Sequence, residues 1–186
     1  MTRAADALRD LAALALRAAE ESAADLDRAL EIVRETVKRG GTLFFCGNGG
    51  SAADAQHLAT EYVVRYAKKR RAYPAVALTT DTSLLTAAGN DLGFEEIFAR
   101  QVEALAKPGD LLIIHSTSGK SPNVVRAAEV ARERGIAVLS FIARDGGRLK
   151  ALSDHTVIVP TDRTDRAQEI HLCMEHAICE AIEQSL

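Results

Sequence analysis

The sequence predicts an α/β fold: a five-stranded parallel sheet flanked by helices, doubly wound, with two extra N-terminal helices. Two observations carry this. Five short apolar runs, 42–46, 75–78, 111–115, 136–141 and 155–159, are interleaved with stretches of helical period. Two of them, Leu43-Phe44-Phe45-Cys46 and Leu111-Leu112-Ile113-Ile114-His115, run into turns rich in glycine and hydroxyl groups that open a helix. Strands alternating with helices make parallel sheets covered on both faces, and such sheets bind ligands outside the carboxyl ends of their strands.

The elements follow in order. Residues 4–19 place Ala4, Leu8, Leu11, Ala15 and Ala18 at helical steps, and residues 23–38 do so with Leu26, Leu30, Val33 and Val37. Gly40-Gly41 stops the second helix. Both helices precede the first strand and lie outside the βα repeat, so residues 1–40 are expected to serve in oligomer packing. Strand 42–46 leads to a helix over 52–67 and a basic cluster, Lys68-Lys69-Arg70-Arg71. Strand 75–78 ends in a polar turn, and short helices over 82–88 and 94–106 flank Gly89-Asn90-Asp91-Leu92-Gly93. Pro108-Gly109-Asp110 is a turn before strand 111–115. A helix over 122–134 ends at Gly135, followed by strand 136–141, the turn Asp145-Gly146-Gly147 and a short helix near 147–152. After strand 155–159, Pro160 breaks away and a last helix spans about 165–185. No linker or solenoid-length repeat interrupts this plan, so residues 1–186 read as one domain.

Composition narrows the function. A net charge of -3 gives no global electrostatic case for nucleic acid or an anionic membrane. Aromatic residues make up only 4% and tryptophan is absent, which weakens any base-stacking role. No apolar run approaches the roughly 20 residues that cross a bilayer. The segment 1–20 is broken by Arg3, Asp6, Arg9, Asp10 and Arg17, unlike the core of a signal peptide, so the expected location is cytoplasmic. Cys46, Cys173 and Cys179 show no paired spacing and are expected to be buried, reduced thiols.

Two constellations carry chemistry. Gly47-Asn48-Gly49-Gly50-Ser51 neither completes G-x-G-x-x-G nor matches a Walker A loop. The second turn holds Ser116, Thr117, Ser118 and Ser121 around Gly119. Backbone N–H groups at a helix start, with the positive end of its dipole, favour phosphate. Two such turns side by side point to a phosphorylated small molecule held from two sides. Each feature also has a plain reading: a tight βα connection for the first turn, and a helix cap ahead of Pro122 for Ser121. His57 and Glu61 share a helix face at four-residue spacing, which suits one metal ion or a surface pair. The last helix carries Gln168, Glu169, His171, Glu175 and His176. His155 reads as structural, and His115, at a strand's carboxyl end, is open.

The run Gly47-Asn48-Gly49-Gly50-Ser51-Ala52-Ala53-Asp54-Ala55-Gln56-His57, the pair Asn90-Asp91 after Gly89, the loop Ser116-Thr117-Ser118-Gly119-Lys120-Ser121-Pro122-Asn123 and Gln168-Glu169-Ile170-His171 together resemble the phosphoheptose isomerase family. That family has the sugar-isomerase (SIS), flavodoxin-like fold, and the resemblance spans nearly the whole chain. It implies isomerisation of sedoheptulose 7-phosphate to D-glycero-D-manno-heptose 7-phosphate through an enediol(ate). This is the first step towards nucleotide-activated heptose, for lipopolysaccharide or another glycoconjugate. It further implies one zinc ion per subunit, held by His57, Glu61, Gln168 and His176, with Glu61 and His176 as the acid/base pair. Asn48, Gly49, Gly50, Ser51, Glu61, Asn90, Asp91, Ser116, Thr117, Ser118, Ser121 and Gln168 would contact substrate, with Ser116, Thr117, Ser118 and Ser121 cradling phosphate. A homotetramer with the site near a subunit interface is implied, with neither nucleic acid nor membrane as partner. The alternatives are a non-enzymatic SIS protein resembling the DnaA initiator-associating protein, or an SIS isomerase of another sugar phosphate such as arabinose 5-phosphate. The complete metal set argues against the first, and the absence of added regulatory domains against the second.

Helix geometry raises one difficulty. Gln168 and His176 stand roughly 12 Å apart along an ideal helix. Either Gln168 lies at or before the first turn, or the ligands come from different subunits; a site at a subunit interface is the expectation.

Overall fold

The apolar runs become β1 (Leu43–Gly47), β2 (Ala75–Ala77), β3 (Leu111–Ser116), β4 (Ala137–Ala143) and β5 (His155–Val159). In the computed structural model, which describes residues 3–186, they form one sheet in the order β2-β1-β3-β4-β5, every neighbouring pair parallel. Side chains alternate across it. Leu43, Phe45, Leu111, Ile113, Leu139 and Phe141 enter one core, and Phe44, Cys46, Leu112, Ile114, Val138 and Ile142 enter the other. The first core is covered by α1 (Ala4–Glu21), α2 (Ala23–Lys38), α3 (Gly50–Val63) and α8 (Thr164–Ser185). The second lies under α4 (Thr82–Asp91), α5 (Ala99–Leu105), α6 (Pro122–Glu133) and α7 (Leu149–Leu152).

The chain leaves β1 for one edge, to β2, and later returns to the other side of β1 to lay down β3. That reversal opens a crevice outside the carboxyl ends of β1 and β3. The register pairs Gly47 with His115, so the two glycine- and hydroxyl-rich turns leave the sheet side by side.

The N-terminal helices differ from one another. α2 is part of the sheet's cover: Ala29, Val33 and Val37 are buried, Ser22 Oγ donates to the Ile158 carbonyl at 2.8 Å, and His155 Nε2 meets the Asp25 carbonyl at 2.7 Å. α1 buries Leu14 and Ala18 but leaves Leu8 and Leu16 exposed at 68% and 71%. Of the helical series Ala4, Leu8, Leu11, Ala15 and Ala18, Leu11 and Ala18 turn towards the core, whereas Ala4, Leu8 and Ala15 face out. Alanine and leucine lie all round this helix, so it carries a second apolar stripe, and the one containing Leu11 and Leu14 is buried.

α3 starts two residues earlier than its period suggested and ends at Val63 rather than 67. The reason is distant in sequence. The Glu183 carboxylate of α8 accepts from the backbone N–H groups of Tyr66, Ala67 and Lys68 at 2.7, 2.8 and 2.7 Å, holding them out of a helix. Arg70, from the basic cluster, pairs with Glu183 at 2.9 Å and donates to the carbonyls of Glu61 and Tyr62. The stretch 94–106 is a 3-10 turn, Phe94–Glu96, followed by α5. Cys46 and Cys179 are buried free thiols, whereas Cys173 is exposed, contrary to expectation, because it lies on the outer face of α8.

Candidate active site

The turn after β1 begins α3 with Gly49 as N-cap, its φ of +58° in the left-handed region. Ser51 is buried in the first turn of the helix. Asn48 and Asn123 exchange two hydrogen bonds, Nδ2 to Oδ1 in each direction, at 2.8 and 2.7 Å. This amide pair ties the first turn to the start of α6, and so to the second turn. Asn123 is 2% exposed and is a site residue that sequence reasoning left without a role; only its place directly after Ser121-Pro122 hinted at it.

The second turn is held from within. Ser116 Oγ accepts from Gly119 N at 3.1 Å, and Ser118 Oγ accepts from Lys120 N at 3.2 Å. Gly119 has a φ of +62°, and a side chain there would collide with the Gly146 carbonyl, so the Asp145-Gly146-Gly147 turn buttresses the loop. Lys120 is tied to Asp145 at 2.9 Å. Ser121 is the N-cap of α6, yet its hydroxyl makes no capping bond. The plain reading of Ser121 as a cap thus loses its bond.

Beside these turns, α3 and α8 bring together His57, Glu61 and His176, whose ligand atoms all lie within 4.8 Å of one another. His57 Nε2 stands 2.8 Å from His176 Nε2 and 3.4 Å from a Glu61 oxygen. Two imidazoles and a carboxylate converging in this way fit a divalent cation of the zinc type. Burial, with the neighbouring His57, holds His176 below the ordinary histidine pKa despite the Glu61 charge. A neutral ring is the form that ligates a metal.

Gln168 lies in the second turn of α8, and its amide sits directly over Gly50, where a Cβ would be 2.5 Å from Oε1. It therefore borders the first turn and stands about two helical turns from His176. Asn90 and Asp91 end α4, exposed, with Asn90 Nδ2 donating to Asp91 Oδ1 at 2.7 Å. Among the described residues no hydrogen bond joins this pair to either turn.

A buried polar layer lies beneath the cluster. His115 Nε2 and Glu175 Oε1 are in direct contact, with both side chains shielded from solvent. Burial disfavours a charged His115, but the Glu175 carboxylate outweighs this and raises its pKa. Asp54, one turn before His57, has a buried oxygen without a partner; burial raises its carboxyl pKa, against the opposing charge of His115. His171 is pushed down to about 3 by burial, with His115 adding to the effect, so it is neutral and its Nε2 faces the Ile142 carbonyl at 3.2 Å.

Comparison with known proteins identifies the family and the fold. The SIS domain family profile matches residues 8–143. The chain is 52% identical over 161 residues to a phosphoheptose isomerase of Aliarcobacter butzleri, covering 87% of this chain and 85% of that protein. It is 50% identical over 179 residues to that of Trichlorobacter lovleyi, covering 96% and 91%. The solved structure of the phosphoheptose isomerase of Neisseria gonorrhoeae superposes with a TM-score of 0.91 at 40% identity, covering 97% of this chain and 96% of that one. Half-identity over nearly full length, with a shared fold, places this chain in the phosphoheptose isomerase family of SIS domain proteins.

Proposed function

We propose that this chain interconverts sedoheptulose 7-phosphate and D-glycero-D-manno-heptose 7-phosphate, supplying the activated-heptose route of a cytoplasm. The observation that carries this is the convergence of His57, Glu61 and His176 beside two hydroxyl- and glycine-rich turns at the sheet's switch point. The kinship with phosphoheptose isomerases selects the seven-carbon sugar.

The phosphate rests on Ser116, Thr117, Ser118 and Ser121, against the start of α6, where the helix dipole favours an anion. Asn48, Gly49, Gly50 and Ser51 line the sugar. Anchoring the remote phosphate fixes which carbons reach Glu61 and His176. Glu61 takes the proton from C1 and returns it at C2, and His176 moves a proton between the two oxygens. His57, Glu61, Gln168 and His176 hold one zinc ion. When bound, it supplies Lewis acidity that draws negative charge off the carbonyl oxygen.

The site is completed in a homotetramer. Two features support this: Gln168 stands about two helical turns from His176 along α8, with its amide over Gly50, and α1 keeps Leu8 and Leu16 exposed. Asn90 and Asp91 bind sugar hydroxyls once a neighbour brings them to the cluster. Among the described residues no helix is long and apolar enough to cross a membrane. The interaction-protein and other-sugar readings gain no support from relatives about half identical to this chain and named phosphoheptose isomerase.

The test is proton NMR of sedoheptulose 7-phosphate in deuterated water, with zinc and with a chelator. An aldoheptose 7-phosphate deuterated at C2, lost on chelation, is the expected result. An untouched ketose under any metal would refute the reading.

A further inference from the structure

The buried pair His115–Glu175 has no place in the chemistry derived above, yet it occupies a decisive position. His115 directly precedes Ser116, where the hydroxyl turn leaves β3. Glu175 directly precedes His176 on α8. Both residues are 1% exposed. The His115 ring is stacked between Phe45, at 6.3 Å and 8°, and Phe141, at 5.8 Å and 20°, so it cannot swing away. The contact thus links the strand that leads into the hydroxyl turn to the helix that carries His176.

Stability alone is a weak reason for such a pair. Buried ion pairs can often be replaced by apolar side chains of similar volume without loss. Much of α8's inner face, Ala167, Ile170, Met174, Ile178 and Ile182, is apolar. Its other buried polar groups reach elsewhere: Arg166 to the Ala7 carbonyl, His171 to the Ile142 carbonyl of β4 and Glu183 to residues 66–68. Among the described residues, His115–Glu175 is thus the hydrogen bond between α8 and β3. Apolar contact is non-directional and tolerates small slides of a helix along a sheet. A charge-assisted hydrogen bond is directional and does not.

We propose that His115 and Glu175 are positioning residues for the isomerisation, forming a strut that fixes the axial position of α8, and with it His176, relative to the phosphate-binding turn after β3. The inference rests on the isomerase function proposed above. It requires each half of the site to be sound without the strut while their separation is not. Misplacement of reacting groups by about 1 Å costs on the order of a hundredfold in rate.

The test compares the parent protein with Glu175→Gln, which keeps an acceptor for His115, and with the double variant His115→Phe/Glu175→Met, which fills the space with apolar groups and strands no charge. The readouts are kcat and KM for sedoheptulose 7-phosphate, the inhibition constant of inorganic phosphate, zinc content and the melting temperature. The expected double variant melts near the parent, retains zinc and binds phosphate within about twofold. Its kcat falls roughly ten- to a hundredfold, and Glu175→Gln falls in between. A folded double variant with kcat within about threefold of the parent would overturn the strut. So would losses of phosphate affinity, zinc and melting temperature in step with kcat, the mark of a merely structural pair. A parent that leaves the ketose unconverted would instead remove the isomerase reading itself.

Discussion

Replacing Glu183 by glutamine tests how the chain beyond the end of α3 is held. Burial alone would raise the Glu183 carboxyl pKa. The N–H groups of Lys68, Ala67 and Tyr66 outweigh it, with Arg70 adding to them, and bring it from 4.5 down to about 2. Such a shift corresponds to about 2–3 kcal/mol of folding free energy, the lower figure allowing for screening by nearby water. The folded pKa is depressed, so this contribution is complete above 4.5 and is lost as pH falls through about 2. Glutamine removes the charge and sets an amide donor among three backbone donors. Urea unfolding at fixed protein concentration is expected to show Glu183→Gln less stable by about 2–3 kcal/mol at pH 7, a fall of roughly 4–12 °C in melting temperature. At a pH midway between the two values the gap narrows to roughly half. A gap below about 1 kcal/mol, or one unchanged between the two pH values, would refute the reasoning.

Three further outcomes are expected. Glu61→Gln should lower kcat by about a thousandfold or more, while circular dichroism and melting stay at parent values; near-normal turnover would remove Glu61 from the proton transfer. Gly50→Ala should push the Gln168 amide aside, since a Cβ there meets it at 2.5 Å, lowering kcat/KM several-fold with little change in stability; unchanged kinetics would separate Gln168 from the site. Leu8→Asp with Leu16→Asp, both on the exposed stripe of α1, should reduce the mass found by light scattering below that of a tetramer while the subunit stays folded; an unchanged mass would place the subunit contact elsewhere.

The parallel sheet and both turns were legible because their signals are local. Each apolar run stops at a glycine or hydroxyl residue, and Ser121-Pro122 announces a helix start. His57 and Glu61 were legible for the same reason, as one helix carries them four residues apart. What escaped depends on chain-distant partners. Nothing near Val63 says that α3 must end there, because its terminator, Glu183, is supplied from the far end of α8. Asn123 and His115 acquire their places only when Asn48 and Glu175 fold against them. Which apolar face of α1 packs on the core is not legible because alanine satisfies either face, and Cys173 escaped because composition does not say which side of a helix a thiol occupies.

The adjacency of β1 and β3 has a consequence for how such a scaffold diversifies. Hydrogen-bonded parallel neighbours stand about 4.8 Å apart, so the separation of the two turns that follow β1 and β3 belongs to the sheet and not to the loops. Loop mutations alter what hangs from the strands without widening the gap, which keeps one end of any ligand constant over evolutionary change. Acceptance of a longer or shorter carbon chain then falls to elements that move independently of β1 and β3, above all the exposed end of α4. Directed evolution toward a new sugar would do best to start its libraries there.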